Sequence, residues 1–98
     1  MIGAPFLDLS NAHAFPVPYK ASRDAAGITF TNLSSIATVK IFSLDGNLVK
    51  TMHDDTGAGF IRWNPVANDD GEPVGSDVYL FVIENDKQRK VGKIMVIR

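Results

Sequence analysis

Every apolar run in the 98-residue chain is short and bounded by turn-forming residues, and this pattern constrains the fold more than any other feature. Between residues 28 and 31, Ile28 and Phe30 point to one side and the two threonines to the other, which is the period of a half-buried strand. No window has the period of an amphipathic helix of ordinary length. The sequence therefore predicts an all-β domain.

Two hairpins are predicted from turn signals. Asp45-Gly46 separates the apolar run at 38–44 from a strand that continues to Met52, and a type I′ turn at this point requires positive φ at both central residues. Near the C-terminus, the runs 77–84 and 89–97 form a second hairpin around residues 85–87.

The first strand is predicted to lie at a sheet edge. Residues 14–21 contain Pro16 and Pro18, which lack the N–H group that a central strand needs for pairing on both sides. The preceding residues 1–12 show no clear period and are predicted to be an arm or linker.

A short strand at 60–64 carries the single tryptophan, Trp63, and the turn-rich stretch 65–75 follows it. About seven antiparallel strands result, at the spacing typical of a sandwich. We therefore predict one immunoglobulin-like β-sandwich over residues 13–98, because a chain of this size supports a single core.

The alternation of apolar residues assigns a face to each predicted strand. The run from Val78 to Ile83 is apolar on both faces, so one face enters the core and the other must be covered or meet a partner. We assign Tyr79, Phe81 and Ile83 to that interaction face. The predicted core residues are Ile28, Phe30, Val39, Ile41, Trp63, Val78, Leu80 and Val82.

Composition and charge exclude several classes of function. The net charge of -1 provides no basic field for nucleic acid, and no apolar run is long enough to span a bilayer. The N-terminus does not have the pattern of a signal peptide. The absence of cysteine removes disulfides, thiolate metal sites and cysteine nucleophiles.

No catalytic group of residues is evident, so we predict that the chain is not an enzyme and uses no cofactor. His13 and His53 are the two histidines, and they lie in segments of different character with no serine and carboxylate placed beside either. Two surface histidines are the better interpretation.

Oxygen-bearing side chains near residues 54–55 and 68–72 raise the alternative of calcium binding. Asp69, Asp70 and Glu72 supply carboxylates of the type that calcium prefers, but their spacing does not fit an EF-hand loop. A plain turn, in which such side chains bond the local backbone, is favoured.

The aromatic residues raise a second alternative, a module that binds carbohydrate or peptide. Trp63, Phe42, Tyr79 and Phe81 would form its platform if they were exposed together. A tryptophan within a sandwich strand is usually a large buried core residue, so core packing is favoured for Trp63. A small-molecule ligand is not expected.

From Phe15 to Arg98 the chain resembles the immunoglobulin-like domain of bacterial flagellar hook-capping proteins. The matching stretches, in order along the chain, are FPVPYKAS, GITFTNL, VKIFSLDGNLVKT, the Trp63 strand, NDDGEPVGSDVYLF and GKIMVIR. The first stretch also resembles the start of the C-terminal sorting domains read by the type IX secretion route, with Pro16-Val17-Pro18 in place of Pro-Asn-Pro. Asp77 stands where the family commonly has glycine.

This resemblance implies a non-catalytic structural or interaction module at the C-terminus of an exported or cell-surface bacterial protein. Its use would be assembly, display or secretion sorting. The implied partners are proteins, either further copies of the chain or other domains of the parent protein.

Overall fold

The computed structural model describes residues 12–33, 36–54, 57–85 and 88–98. These residues form two antiparallel-dominated sheets and contain no helix, as the sequence predicts. The three-stranded sheet has the order β1-β3-β6, and the five-stranded sheet has the order β2-β8-β7-β4-β5. The strands are β1 (His13–Phe15), β2 (Tyr19–Lys20), β3 (Ile28–Thr31), β4 (Ala37–Ser43), β5 (Leu48–Asp54), β6 (Phe60–Trp63), β7 (Asp77–Glu84) and β8 (Arg89–Ile97).

The predicted first strand at 14–21 is in fact two short strands in different sheets. β1 pairs antiparallel with β3, and β2 pairs parallel with the end of β8, so the described chain has eight strands and one parallel pair. Between them lie Pro16 and Pro18, each preceded by a cis peptide bond. Since proline cannot donate to a ladder, the chain changes sheets where pairing is weakest. The predicted arm lies outside the described residues apart from Ala12, which is buried.

The hairpin between β4 and β5 is confirmed, but its turn is not of type I′. Only Gly46 has positive φ, at 93°, whereas Asp45 does not. The Ser43 N–H donates to the Asn47 carbonyl at 2.9 Å, and the Gly46 N–H donates to the Ser43 carbonyl at 3.0 Å. The turn is therefore longer than the two-residue loop that Asp-Gly favours, and a single glycine supplies the left-handed residue.

The core lies between the two sheets. Phe30 of β3 and Phe81 of β7 meet across it with ring centroids 5.4 Å apart and planes at 68°, an edge-to-face contact. The buried apolar residues of the core are Ala12, Tyr19, Ile28, Phe30, Leu33, Ala37, Val39, Ile41, Trp63, Val66, Val74, Tyr79, Phe81, Ile83, Ile94 and Val96.

The face assignment of β7 from the sequence is wrong. Tyr79, Phe81 and Ile83, which we assigned to an interaction face, are buried in the core. The residues expected in the core, Val78, Leu80 and Val82, are half-buried on the opposite face. The other five predicted core residues, Ile28, Phe30, Val39, Ile41 and Trp63, are buried.

The ladder partners explain this correction. Leu80 lies opposite Lys93 of β8, and Val82 lies opposite Lys40 of β4. Directly opposed residues of an antiparallel pair lie on the same face, so the solvated lysines place Leu80 and Val82 outside. On the core face, Phe81 lies opposite Gly92, and a Cβ atom at Gly92 would overlap the Phe81 ring.

Trp63 is the largest of the fully buried side chains, and its indole N–H donates to the Ala67 carbonyl at 2.8 Å. Trp63→Ala is expected to lower the free energy of unfolding by about 3–5 kcal/mol, because it removes a large aromatic from a packed core. Denaturant titration measures this loss. Trp63→Phe, which keeps an aromatic ring but loses the hydrogen bond, serves as the matched variant and is expected to lose less. A loss below about 1 kcal/mol for Trp63→Ala would contradict the buried role.

Candidate functional site

The turn-rich segment at 64–76 is held by the side chains of Trp63 on β6, Tyr79 on β7 and Arg98, the residue after β8. Trp63 binds its Ala67 carbonyl, as described above. The Tyr79 hydroxyl donates to the Gly75 carbonyl at 2.8 Å. The Arg98 guanidinium donates to the carbonyls of Val66, at 2.7 Å, and Val74. The chain's last residue thus ties the two sides of this segment together.

Polar side chains inside the segment are engaged with its own backbone. Asn68 Oδ1 accepts hydrogen bonds from the N–H groups of Asp70, at 3.0 Å, and Glu72, at 2.9 Å. The Asn68 amide donates to a Glu72 carboxylate oxygen at 3.3 Å. Such bonds are those of a local turn. Within the described ranges, no three His, Asp or Glu side chains are grouped as metal ligands would be.

The two histidines are separated by the fold. His13 is exposed on β1, where its ring lies 6.0 Å from that of Phe15. His53 is exposed on β5, and its Nδ1 is 2.8 Å from the Thr38 hydroxyl. They belong to different sheets, and the fold therefore does not bring them together in one catalytic group.

The proposed aromatic platform does not form from the residues that the sequence suggested. Trp63, Tyr79 and Phe81 are buried, and Phe42 is half-buried on the outside of β4. An open depression of about 390 Å³ is lined by Trp63 together with Lys50, Arg62 and Asp69. Burial of the three large rings in the core favours a scaffold over a ligand platform.

The outer face of the five-stranded sheet has a strip of apolar side chains. Val78, Leu80 and Val82 form its centre on β7. On β8, the residues opposite Val82 and Val78 are Val91 and Met95, whose side chains are 56% and 42% exposed. The strip extends from the middle of the sheet to β8. The sequence signal that could have located it is the pair of lysines, Lys40 and Lys93, in the neighbouring strands.

One edge of this sheet is covered by the 64–76 segment. At β5, the Asp69 N–H donates to the Val49 carbonyl at 3.1 Å, and Asp69 Oδ1 accepts from the Thr51 N–H at 3.4 Å. The Lys50 ammonium lies 3.5 Å from the same carboxylate oxygen. Asp69 therefore occupies edge groups that an added strand would need.

The other edge is covered only at its end. β2 pairs with β8 at Val96 and Ile97, and no described strand pairs with this side of β8 between Arg89 and Met95. An uncovered strand edge presents backbone donors and acceptors to another chain. This edge and the apolar strip beside it form the candidate interaction site.

No family model and no curated protein sequence matches the chain. Among solved structures, the chain is similar to part of PorZ, an essential bacterial surface component of the type IX secretion system of Porphyromonas gingivalis. The two are 27% identical with a TM-score of 0.76, over 92% of this chain and 12% of PorZ. The chain therefore corresponds to only a small part of the length of PorZ.

A second similar structure is that of dimeric latent PorU from the same organism. It is 20% identical with a TM-score of 0.62, over 88% of this chain and 9% of PorU. At this identity the likeness concerns the fold. Both comparisons find a similar β-sandwich within a much longer protein. In the described part of this chain, no helix is long and apolar enough to cross a membrane.

We expect the fold to be independent of calcium, because Asn68 bonds the segment's backbone, Asp69 is bonded to β5 and Glu72 accepts from the Asn68 amide. The thermal midpoint should differ by less than about 2 °C between calcium and a chelator, since a bound ion would stabilise the folded state by mass action. Differential scanning calorimetry measures this difference. The variant Asp70→Asn is the control and should behave in the same way. A rise of many degrees with calcium, lost in Asp70→Asn, would contradict the prediction.

We also expect a pH dependence from Tyr79. Burial raises the pKa of the Tyr79 phenol above its ordinary value, and the Asp77 carboxylate adds to the rise. A raised pKa means that the folded state holds the proton more tightly than the unfolded state, so this contribution is complete below about pH 10 and is lost as the pH rises through the folded pKa.

The measurement compares the parent with Tyr79→Phe. At about pH 8 the variant should be less stable by about 1 kcal/mol, because the hydrogen bond to the Gly75 carbonyl is lost. Toward about pH 11 this difference should shrink, since only the parent loses stability when the phenol ionises. Tyr19→Phe, which removes the chain's other tyrosine, is the matched control. A difference that stays constant with pH would show that Tyr79 does not ionise in this range.

Proposed function

We propose that the chain is a non-catalytic structural and interaction module of an exported or cell-surface bacterial protein, delivered by type IX secretion. The observation that carries this proposal is the similarity to PorZ, a surface component of that system, over nearly the whole chain. Of the two related groups that the sequence resembles, the proposal takes the sorting type over the hook-capping type, because both similar structures come from Por proteins of one organism.

The placement of the polar residues supports a role without catalysis. Three polar side chains have structural roles: Tyr79 and Arg98 hold the 64–76 segment, and Asp69 bonds the edge of β5. The two histidines lie in different sheets. What the described surface offers is an open strand edge and an apolar strip, which suit binding to protein.

The proposal assigns residues 13–98 to the module and residues 1–12 to the segment that joins it to a preceding domain. Such a module would be used for assembly, display or sorting at the cell surface. The alternative of a carbohydrate- or peptide-binding module that uses exposed aromatics loses its main support, because three of its four aromatic residues are in the core.

A reporter fusion tests delivery. A folded reporter with a signal peptide is joined to the N-terminus of the chain and expressed in Porphyromonas gingivalis, with and without an active type IX system. We expect the reporter outside the cell only when both the chain and the system are present. The reporter joined to an unrelated sandwich of the same size is the control. Retention of the fusion in the periplasm, while native substrates of the system are exported, would refute the sorting role.

A further inference from the structure

We propose that the open edge of β8, from Arg89 to Met95, takes up an extended, acidic segment of another protein as an added strand. This inference deepens the interaction role proposed above by naming the surface and the chemistry of its partner. It concerns binding by the isolated chain, so it can fail or succeed independently of the export route.

The backbone of β8 has the right orientation for strand addition. The Ala21 N–H donates to the Ile97 carbonyl at 3.0 Å, which shows that the backbone groups of Ile97 point away from β7. Backbone direction alternates along a strand, so the groups of Val91 and Lys93 point to the same open side. The N-terminal end of β8 shows the same alternation. There the Asn85 N–H donates to the Gln88 carbonyl, so the backbone groups of even-numbered residues point toward β7.

The side chains next to this edge would provide apolar contact for an added strand. Val91 and Met95 are among the exposed large apolar residues of the chain. Lys93 is exposed between them on the same face. Cross-strand neighbours lie close enough to pack, so alternate residues of an added strand would cover Val91 and Met95 and extend the outer face of the sheet. An added strand fits this surface when the residues opposite Val91 and Met95 are apolar and the residue opposite Lys93 is acidic, at every second position.

Charge indicates the nature of the partner. From Arg89 to the C-terminus the chain contains Arg89, Lys90, Lys93 and Arg98 and no acidic residue. Glu84 lies 3.7 Å from the Arg89 guanidinium, and Arg98 is engaged with the 64–76 segment. Lys93 is exposed at the middle of the open stretch, on the same face as Val91 and Met95. Acidic residues in the added strand would complement this charge.

The same charge argues against pairing of two copies through this edge. If two β8 strands met antiparallel about Gly92, each Lys93 would lie opposite Val91 of the other copy and diagonal to the other Lys93, with no acid on either strand. A second copy would therefore give Lys93 no acidic partner, whereas an acidic strand would. Asp69 occupies edge groups of Val49 and Thr51 at β5, so among the described edges of the five-stranded sheet the uncovered stretch of β8 is favoured for an incoming strand.

Binding of short labelled peptides tests the proposal. The probe is a blocked peptide with valine, glutamate and valine at every second position and threonine between them, and its counterpart has lysine in place of glutamate. Fluorescence anisotropy with the 98-residue chain, in about 50 mM salt, should show binding of the acidic peptide at least about tenfold tighter than of the basic one. Amide hydrogen exchange should slow at Val91 and Lys93 on binding, because their N–H groups become bonded.

Three variants separate strand addition from a general attraction of charge. Val91→Pro removes an edge-facing N–H without touching the ladder to β7, and should weaken binding by about tenfold or more. Val91→Thr keeps the N–H and should bind within about twofold of the parent. Lys93→Glu should reverse the preference between the two peptides. Because Lys93 is exposed, this variant tests the proposal even if Val91→Pro fails to fold.

Several results would overturn the proposal. Binding of the acidic peptide without slower exchange at 91 and 93, or equal binding by folded Val91→Pro, would show attraction without strand addition. A dimer of the peptide-free chain in light scattering that Val91→Pro abolishes would assign the edge to a second copy. A gain of about tenfold or more in peptide affinity on deletion of residues 1–11 would assign it to the chain's own N-terminal segment.

Discussion

The contact of the Phe81 ring with the backbone of Gly92 fixes the hairpin of β7 and β8, and the rest of the structure depends on that register. Only a residue without Cβ leaves room for the ring on the core side. Once Phe81 is inside, Tyr79 and Ile83 are inside too, and Leu80 and Val82 must face outward. A shift by one residue would exchange the two faces completely.

The register of β7 also positions a residue that holds the 64–76 segment. It brings Tyr79 beneath the 64–76 segment, which Arg98 holds from the other side. With the segment in place, Asp69 reaches β5 and blocks that edge. Among the described residues, none pairs with this side of β8 before β2 meets its last residues. The described part of the chain therefore covers the two edges of its larger sheet unequally.

Much of the fold follows from local pattern, whereas the interaction site does not. The bounds of β7 and β8 match the apolar runs, because turn residues end a strand regardless of what packs on it. The burial of Trp63 follows from size and hydrophobicity. The face of β7 could not be read from its own residues, since both sides are apolar. Lys40 and Lys93 indicate which face of β7 is solvated, but only because the ladder places them opposite Val82 and Leu80, and that pairing is known from the structure alone.

The sequence by itself determined that this chain is an all-β sandwich, because periodicity and turn residues are properties of short stretches. Tertiary structure decided where the N-terminal segment changes sheets, which side of β7 is buried, and which strand edge the described residues leave uncovered. These features depend on residues far apart in the chain, such as Asp69 at β5 and Tyr19 at β8. Hydrogen bonds between distant strands set them, and no local pattern encodes such pairings uniquely.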